Sequence, residues 1–171
     1  MQKNLKNGNI YLIVAFVMMG ILFYSSSQTY EQQSSIPVLE KILKNEPFKE
    51  ALSGVSFMYG DSPVSIKDSG YFKFVEFFIR KAAHFGTYFI LGSSLFMALI
   101  PRIKHLGLAL LYAWLAATGY AALDEFHQML TGGRSPMFED VVLDSSGALF
   151  ACLICIFFFW FSNRKKPKKR K

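Results

Sequence analysis

With 171 residues the chain has room for one domain, or for a small bundle of spanning helices plus one modest loop, and not for two soluble domains. A hydrophobic fraction of 52% and 18 Phe are high for a soluble domain of this size, while the charges sit in separated clusters, which is the distribution a bilayer demands. The net charge of +7 comes with a terminal basic run and is not in itself a sign of nucleic-acid binding.

Four stretches approach the roughly 17–25 apolar residues that a spanning helix needs: 10–24, 82–100, 106–123 and 141–161. The first follows Lys3 and Lys6 and runs into Ser25, Ser26 and Ser27, so a cleaved signal peptide is the alternative to a first span. The run is long for a signal-peptide core and no A-x-A sequence follows it, which favours a retained helix over 1–27.

Residues 28–79 form the one segment large enough to fold in water. It begins polar, through Ser35. Over 36–52 the apolar residues Ile36, Leu39, Leu43, Phe48 and Leu52 fall at helical spacing, with Pro47 placed to break or bend the helix. Val55, Phe57 and Tyr59 alternate, Gly60, Asp61, Ser62 and Pro63 offer a turn, and Val64 and Ile66 alternate again, which predicts a short β-hairpin. Over 71–79 the residues Tyr71, Phe72, Val75, Phe78 and Ile79 share a face opposite Lys73 and Glu76, so an amphipathic turn in the headgroup layer is expected before the second span. The predicted fold is an all-α integral membrane protein with four transmembrane helices. Its loop carries an amphipathic helix and a short β-hairpin, a three-helix transmembrane core occupies 80–161, and a basic tail fills 162–171.

Charge asymmetry sets the expected orientation. Lys3, Lys6, Arg102, Lys104 and the tail from Arg164 carry more than half of the 19 basic residues and none of the 12 acids, so both termini are expected to be cytoplasmic and the hairpin loop extracytoplasmic. Directly after a span, the tail serves as a topological anchor and a partner for anionic lipid headgroups, and no nucleic-acid partner is expected. Cys152 and Cys155 lie inside the last apolar segment, where thiols pack as small hydrophobes.

The informative polar residues gather at the hairpin-side ends of the last three spans. Arg80, Lys81, His84 and Tyr88 are spaced to share one side of the second. At the end of the third, Asp124, His127 and Gln128 share a face, with Glu125 about 100° away. The connecting loop carries Gly132, Gly133 and Arg134, and the fourth span opens with Asp140 and, one turn deeper, Asp144. Gly147, Ala148, Ala151 and Cys155 continue the Asp144 stripe, as Ala113, Ala116, Ala117 and Tyr120 lead to Asp124. Small residues let helices approach closely, so the two stripes are expected to face each other and to bring the polar ends into one pocket with His84. The competing reading is that Arg80, Lys81 and Arg134 merely pair with Asp124, Asp140 and Asp144 to hold the helices in register. Ionisable groups at membrane depth nevertheless mark a site by default.

The runs Arg80–Lys81–Ala–Ala–His84–Phe–Gly–Thr–Tyr88, Asp124–Glu125–Phe–His127–Gln128 followed by Gly133–Arg134–Ser135, and Asp140–Val–Val–Leu–Asp144–Ser–Ser–Gly147 resemble the three signatures of the VanZ-like family. Ser26–Ser27–Gln28 resembles its start, and the similarity extends from Ser26 to about Phe161. Where the family pattern usually shows Asn, this chain has Asp144, which adds a negative charge. The resemblance implies a multi-pass protein of the bacterial plasma membrane, of the form found in Gram-positive bacteria, and low-level resistance to teicoplanin-type glycopeptides.

Two functional classes follow. A cell-envelope protein would bind or modify an outer-leaflet or wall component, with membrane lipids and a lipophilic glycopeptide or lipid-linked wall precursor as partners. A membrane enzyme would act on a phosphorylated lipid, with Arg80, Lys81 and Arg134 on phosphate and His84, Asp124 and His127 as candidate catalytic groups. Tyr88, Glu125, Gln128, Asp140 and Asp144 complete the candidate binding residues. No cofactor is called for. A metal-assisted variant would draw on His84, Asp124, His127, Asp140 and Asp144, although no short His-rich or Cys-rich spacing demands a metal. A homo-oligomer is compatible with the sequence.

Overall fold

The computed structural model describes residues 2–131 and 136–164. Helix α1 (Gln2–Ser26) is followed by α2 (Ile36–Ile42), α3 (Lys49–Leu52), strands β1 (Ser56–Tyr59) and β2 (Ser62–Ser65), α4 (Ile66–Ser69), and the long helices α5 (Tyr71–Ile103), α6 (Leu106–Thr131) and α7 (Phe138–Arg164). Within α1, α5, α6 and α7 lie four segments long and apolar enough to cross a membrane, the first of them Gly8–Ser26. Large apolar side chains cover their outer faces, among them Ile13 and Phe16 on α1, Leu115 and Leu123 on α6, and Phe157 and Phe158 on α7. Such a belt suits hydrocarbon, not water.

Helix α5 departs from the expected break near Ile79. Its 33 residues run without interruption, about 50 Å at 1.5 Å per residue against a hydrocarbon core of about 30 Å. The break lies instead at Gly70, whose φ of 82° ends α4, and nothing between Tyr71 and Ala82 stops a helix. The amphipathic stretch 71–79 is therefore the projecting start of the second span. Pro47 lies in the expected interruption of 36–52, where Glu46 and Phe48 both have positive φ and leave two short helices.

The hairpin is present, with Ser56 opposite Ser65 and Tyr59 opposite Ser62. Its turn is tighter than expected, only Gly60 and Asp61, because Gly60 takes a φ of 56° without a Cβ penalty and releases Ser62 and Pro63 into β2.

The small-residue stripes of α6 and α7 meet in the core, and α5 packs into the same seam. The α7 stripe makes its closest approach to α5, where a Cβ on Gly92 would lie 2.6 Å from the Ala148 backbone and one on Gly147 would lie 2.6 Å from the Phe85 carbonyl oxygen, and its Ala148 and Cys152 also share core clusters with the α6 alanines. The Cys152 thiol donates to the Gly92 carbonyl at 3.5 Å, and both cysteines are free. On α6 the buried line is Ala109, Ala113, Ala117 and Ala121 at strict four-residue spacing, while Ala116 is exposed. That line packs against Ala15, Leu22 and Leu91 in one core cluster and against Phe96 and Cys152 in the other. The α6–α7 seam is polar: Trp114 Nε1–H donates to Ser145 Oγ at 2.8 Å, and Thr118 Oγ1 lies 2.7 Å from the same oxygen.

Candidate functional site

The hairpin closes over one end of the bundle. The Tyr59 ring meets Phe77 edge-on at 5.1 Å, and its hydroxyl donates to Asp140 at the start of α7. Lys81 pairs with the same carboxylate, with its Nζ 4.5 Å above the Tyr59 ring. Burial, and then the Asp140 carboxylate, push the Tyr59 phenol well above its ordinary value, which keeps it a hydrogen-bond donor.

Beneath the hairpin lies a cavity of about 390 Å³. Its basic wall is one stripe of α5, formed by Lys73, Arg80, Lys81 and His84 around Phe77, and its opposite side is formed by Glu125 and Gln128 of α6 and Asp140 of α7. The Arg80 guanidinium stacks 4.7 Å over the Tyr30 ring, and Nη2 donates to Gln33 Oε1 at 3.4 Å. Its Nη1 is buried without a hydrogen-bond partner among the described residues. Glu125, 5% exposed, accepts from the Met137 backbone N–H at 3.0 Å and so ties down the entry to α7.

Below the cavity, His84 Nδ1 stands 3.3 Å from Asp144 Oδ2, while Asp144 Oδ1 is buried without a hydrogen-bond partner among the described residues. Asp124 accepts from the Ser26 hydroxyl and, at 3.3 Å, from Gln128 Nε2. One ligand-capable atom from each of His84, Asp124 and Asp144 lies within 4.8 Å of the others. One turn farther in, Tyr88 is fully buried and its hydroxyl has no hydrogen-bond partner among the described residues.

The structure thus divides the residues expected to share one pocket. Arg80, Lys81, His84, Glu125, Gln128 and Asp140 line the cavity, and Asp124, Asp144 and Tyr88 lie deeper, around or beneath His84. His127 does not line the cavity: its ring stacks on Phe23 of α1 at 4.4 Å. Arg134 lies outside the described residues.

Sequence reasoning missed the role of the segment after α1. Glu76, read as part of a solvated face, is 1% exposed. It accepts from the Tyr30 hydroxyl at 2.9 Å, from Ser34 Oγ at 3.0 Å, and from the Ser35 N–H and hydroxyl. The signal available was a run of hydroxyl donors, Tyr30, Ser34 and Ser35, directly after a span, where a distant buried carboxylate can collect them. This anchorage holds Tyr30 under Arg80, so the loop builds one wall of the cavity.

No curated protein and no solved structure matches the chain. The family model described as VanZ/LLP1 matches residues 11–160, which take in all three polar runs, the hairpin and most of the four apolar helices. The chain is a multi-pass membrane protein that belongs to the VanZ/LLP1 family.

Proposed function

We propose that this chain works in the bacterial plasma membrane, with both termini cytoplasmic and the hairpin outside. There its cavity takes the anionic headgroup of an outer-leaflet lipid or lipid-linked wall precursor, and occupancy gives low-level protection against teicoplanin-type glycopeptides. The observation that carries the reading is Arg80, a guanidinium fixed over Tyr30 with a buried N–H directed to no acceptor among the described residues. A planar, always-charged donor held in this way suits a phosphate oxygen. Lys73, which lines the cavity beside it, raises the local positive charge. The orientation rests on the basic tail and the acid-free end of the bundle.

The test is expression in a glycopeptide-sensitive Gram-positive host. Wild type should raise the teicoplanin concentration needed to stop growth, and Arg80→Gln should remove that protection at equal membrane abundance. Full protection by Arg80→Gln would overturn the binding role, and labelling of an engineered Ser56→Cys only from the cytoplasmic side would overturn the orientation.

A second reading, hydrolysis of a phosphorylated lipid, draws on His84 and Asp144 directly beneath the same cavity. Release of inorganic phosphate from a polyprenyl phosphate by the purified protein would favour it over binding alone.

A further inference from the structure

We propose that His84, Asp124 and Asp144 form a binding site for one divalent first-row metal ion, at the floor of the cavity. The first argument is charge. Asp124 is 4% exposed and Asp144 1% exposed, and among the described residues no lysine or arginine pairs with either. Lys81 is committed to Asp140, and Arg80 sits over Tyr30. Among the described residues His84 is the one basic group shown within hydrogen-bonding distance of either carboxylate, which leaves negative charge uncompensated, and burying a carboxylate costs several kcal/mol unless something positive joins it. A divalent ion would neutralise both.

The second argument is geometry. A tetrahedral ion with bonds of about 2.0–2.2 Å needs donors roughly 3.4 Å apart. His84 Nδ1 and Asp144 Oδ2 are 3.3 Å apart, and an Asp124 oxygen completes a trio within 4.8 Å. One imidazole nitrogen and two carboxylate oxygens make a donor set that zinc or manganese accepts, with a fourth position left for water or a ligand from the cavity.

The third argument rests on Tyr88, which is outside the cluster. Tyr88 is fully buried, lies one turn from His84, and packs with Ala121 and Ala148, which precede Asp124 by three residues and follow Asp144 by four. Its hydroxyl points into this region with no hydrogen-bond partner among the described residues, and the Asp144 Oδ1 beside His84 has none there either. A bound ion and its water would supply both. Ser26 and Gln128 already hold the Asp124 carboxylate in place, as outer-shell partners hold metal ligands. The geometry selects this trio from the wider set that the sequence offered, since His127 is turned to Phe23 and Asp140 is held by Lys81 and Tyr59.

Equilibrium dialysis of the untagged, full-length protein in detergent against Zn²⁺ or Mn²⁺, with no lipid or glycopeptide present, tests this separately from the binding reading above. Wild type should hold about one ion per chain and melt at a higher temperature with the ion than with a chelator. His84→Gln and Asp144→Asn should bind at least a hundredfold more weakly. Ser26→Ala, which leaves all three ligands in place, should bind roughly 10–100-fold more weakly. His127→Phe, which keeps the ring stack, should bind as wild type does. A folded wild-type protein that holds no ion, or equal affinity in wild type, Asp144→Asn and Ser26→Ala, would overturn the proposal.

Discussion

Two carboxylates one turn apart on α7 have opposite surroundings. At the mouth of the cavity, Asp140 receives the Lys81 ammonium and the Tyr59 hydroxyl, so charge and hydrogen bonding both close. At the floor, Asp144 has one oxygen on His84 and the other on no hydrogen-bond partner among the described residues. Asp140 sits as a scaffold residue does, with its charge matched locally. The floor carries buried charge that the described residues do not match, and unmatched groups at membrane depth are where a site is expected. A repulsive i, i+4 pair of acids is a poor way to stabilise a helix start, yet the mouth half of this pair is fully compensated, so the imbalance lies with Asp144 and its neighbour Asp124.

The largest effect should therefore come from the floor and appear in function. Asp124→Asn is nearly isosteric. If the floor only held helices together, it would cost what an intramembrane polar contact is worth, roughly 0.6–2 kcal/mol, and protection would fall only in proportion to surviving protein. We expect both Asp124→Asn and His84→Gln to abolish glycopeptide protection at unchanged membrane abundance. Growth inhibition measured beside an immunoblot of the membrane fraction decides the matter, and wild-type protection in both variants would make the floor as structural as the mouth.

This division of labour was only partly legible in the sequence. The four spans could be read because each is a long apolar run, and the hairpin because Phe57 and Tyr59 alternate before Gly60. The polar cluster could be read because His84, Asp124, Asp140 and Asp144 stand near the ends of spans. What periodicity cannot supply is which partner a face meets. Ala113, Ala116 and Ala117 are equally small, yet only the strict four-residue line through Ala113 and Ala117 is buried. His127 follows Asp124 on the same side of α6, but Phe23 draws it against α1. Glu76 looked solvated beside Lys73 because its four donors come from Tyr30, Ser34 and Ser35, about forty residues earlier in the chain.

A smaller effect, on stability alone, is expected at the mouth. Lys81→Met leaves Asp140 with Tyr59 as its remaining partner. The side chains of the pair are 22% and 18% exposed, so the loss should be about 1–3 kcal/mol, below the 3–5 kcal/mol typical of breaking a fully buried pair. Adding Asp140→Asn should recover most of that loss. A double-mutant cycle on detergent-solubilised protein would show this as coupling. Additive losses would mean that the pair contributes little and that the mouth is not balanced through it.

The smallest effect should come from Tyr59→Phe, which keeps the ring against Phe77 and under Lys81 and removes only the hydroxyl that donates to Asp140. A hydrogen bond to a charged acceptor contributes about 1.5–3 kcal/mol when buried, and less at this half-exposed rim, so a loss of about 1 kcal/mol is expected at neutral pH. The pH dependence identifies the cause. Because the folded phenol is held above its ordinary value of 10.0, its contribution is complete below that value and is lost as pH climbs from there towards the folded value, where the unfolded chain releases a proton that the folded chain retains. Wild type should therefore lose its advantage over Tyr59→Phe as pH rises above about 10, the ordinary phenol value. Denaturant unfolding of the two proteins between pH 7 and 11 measures the gap. A gap that stays constant across this range would mean that the hydroxyl acts by packing alone, and that Asp140 relies on Lys81 alone to balance its charge.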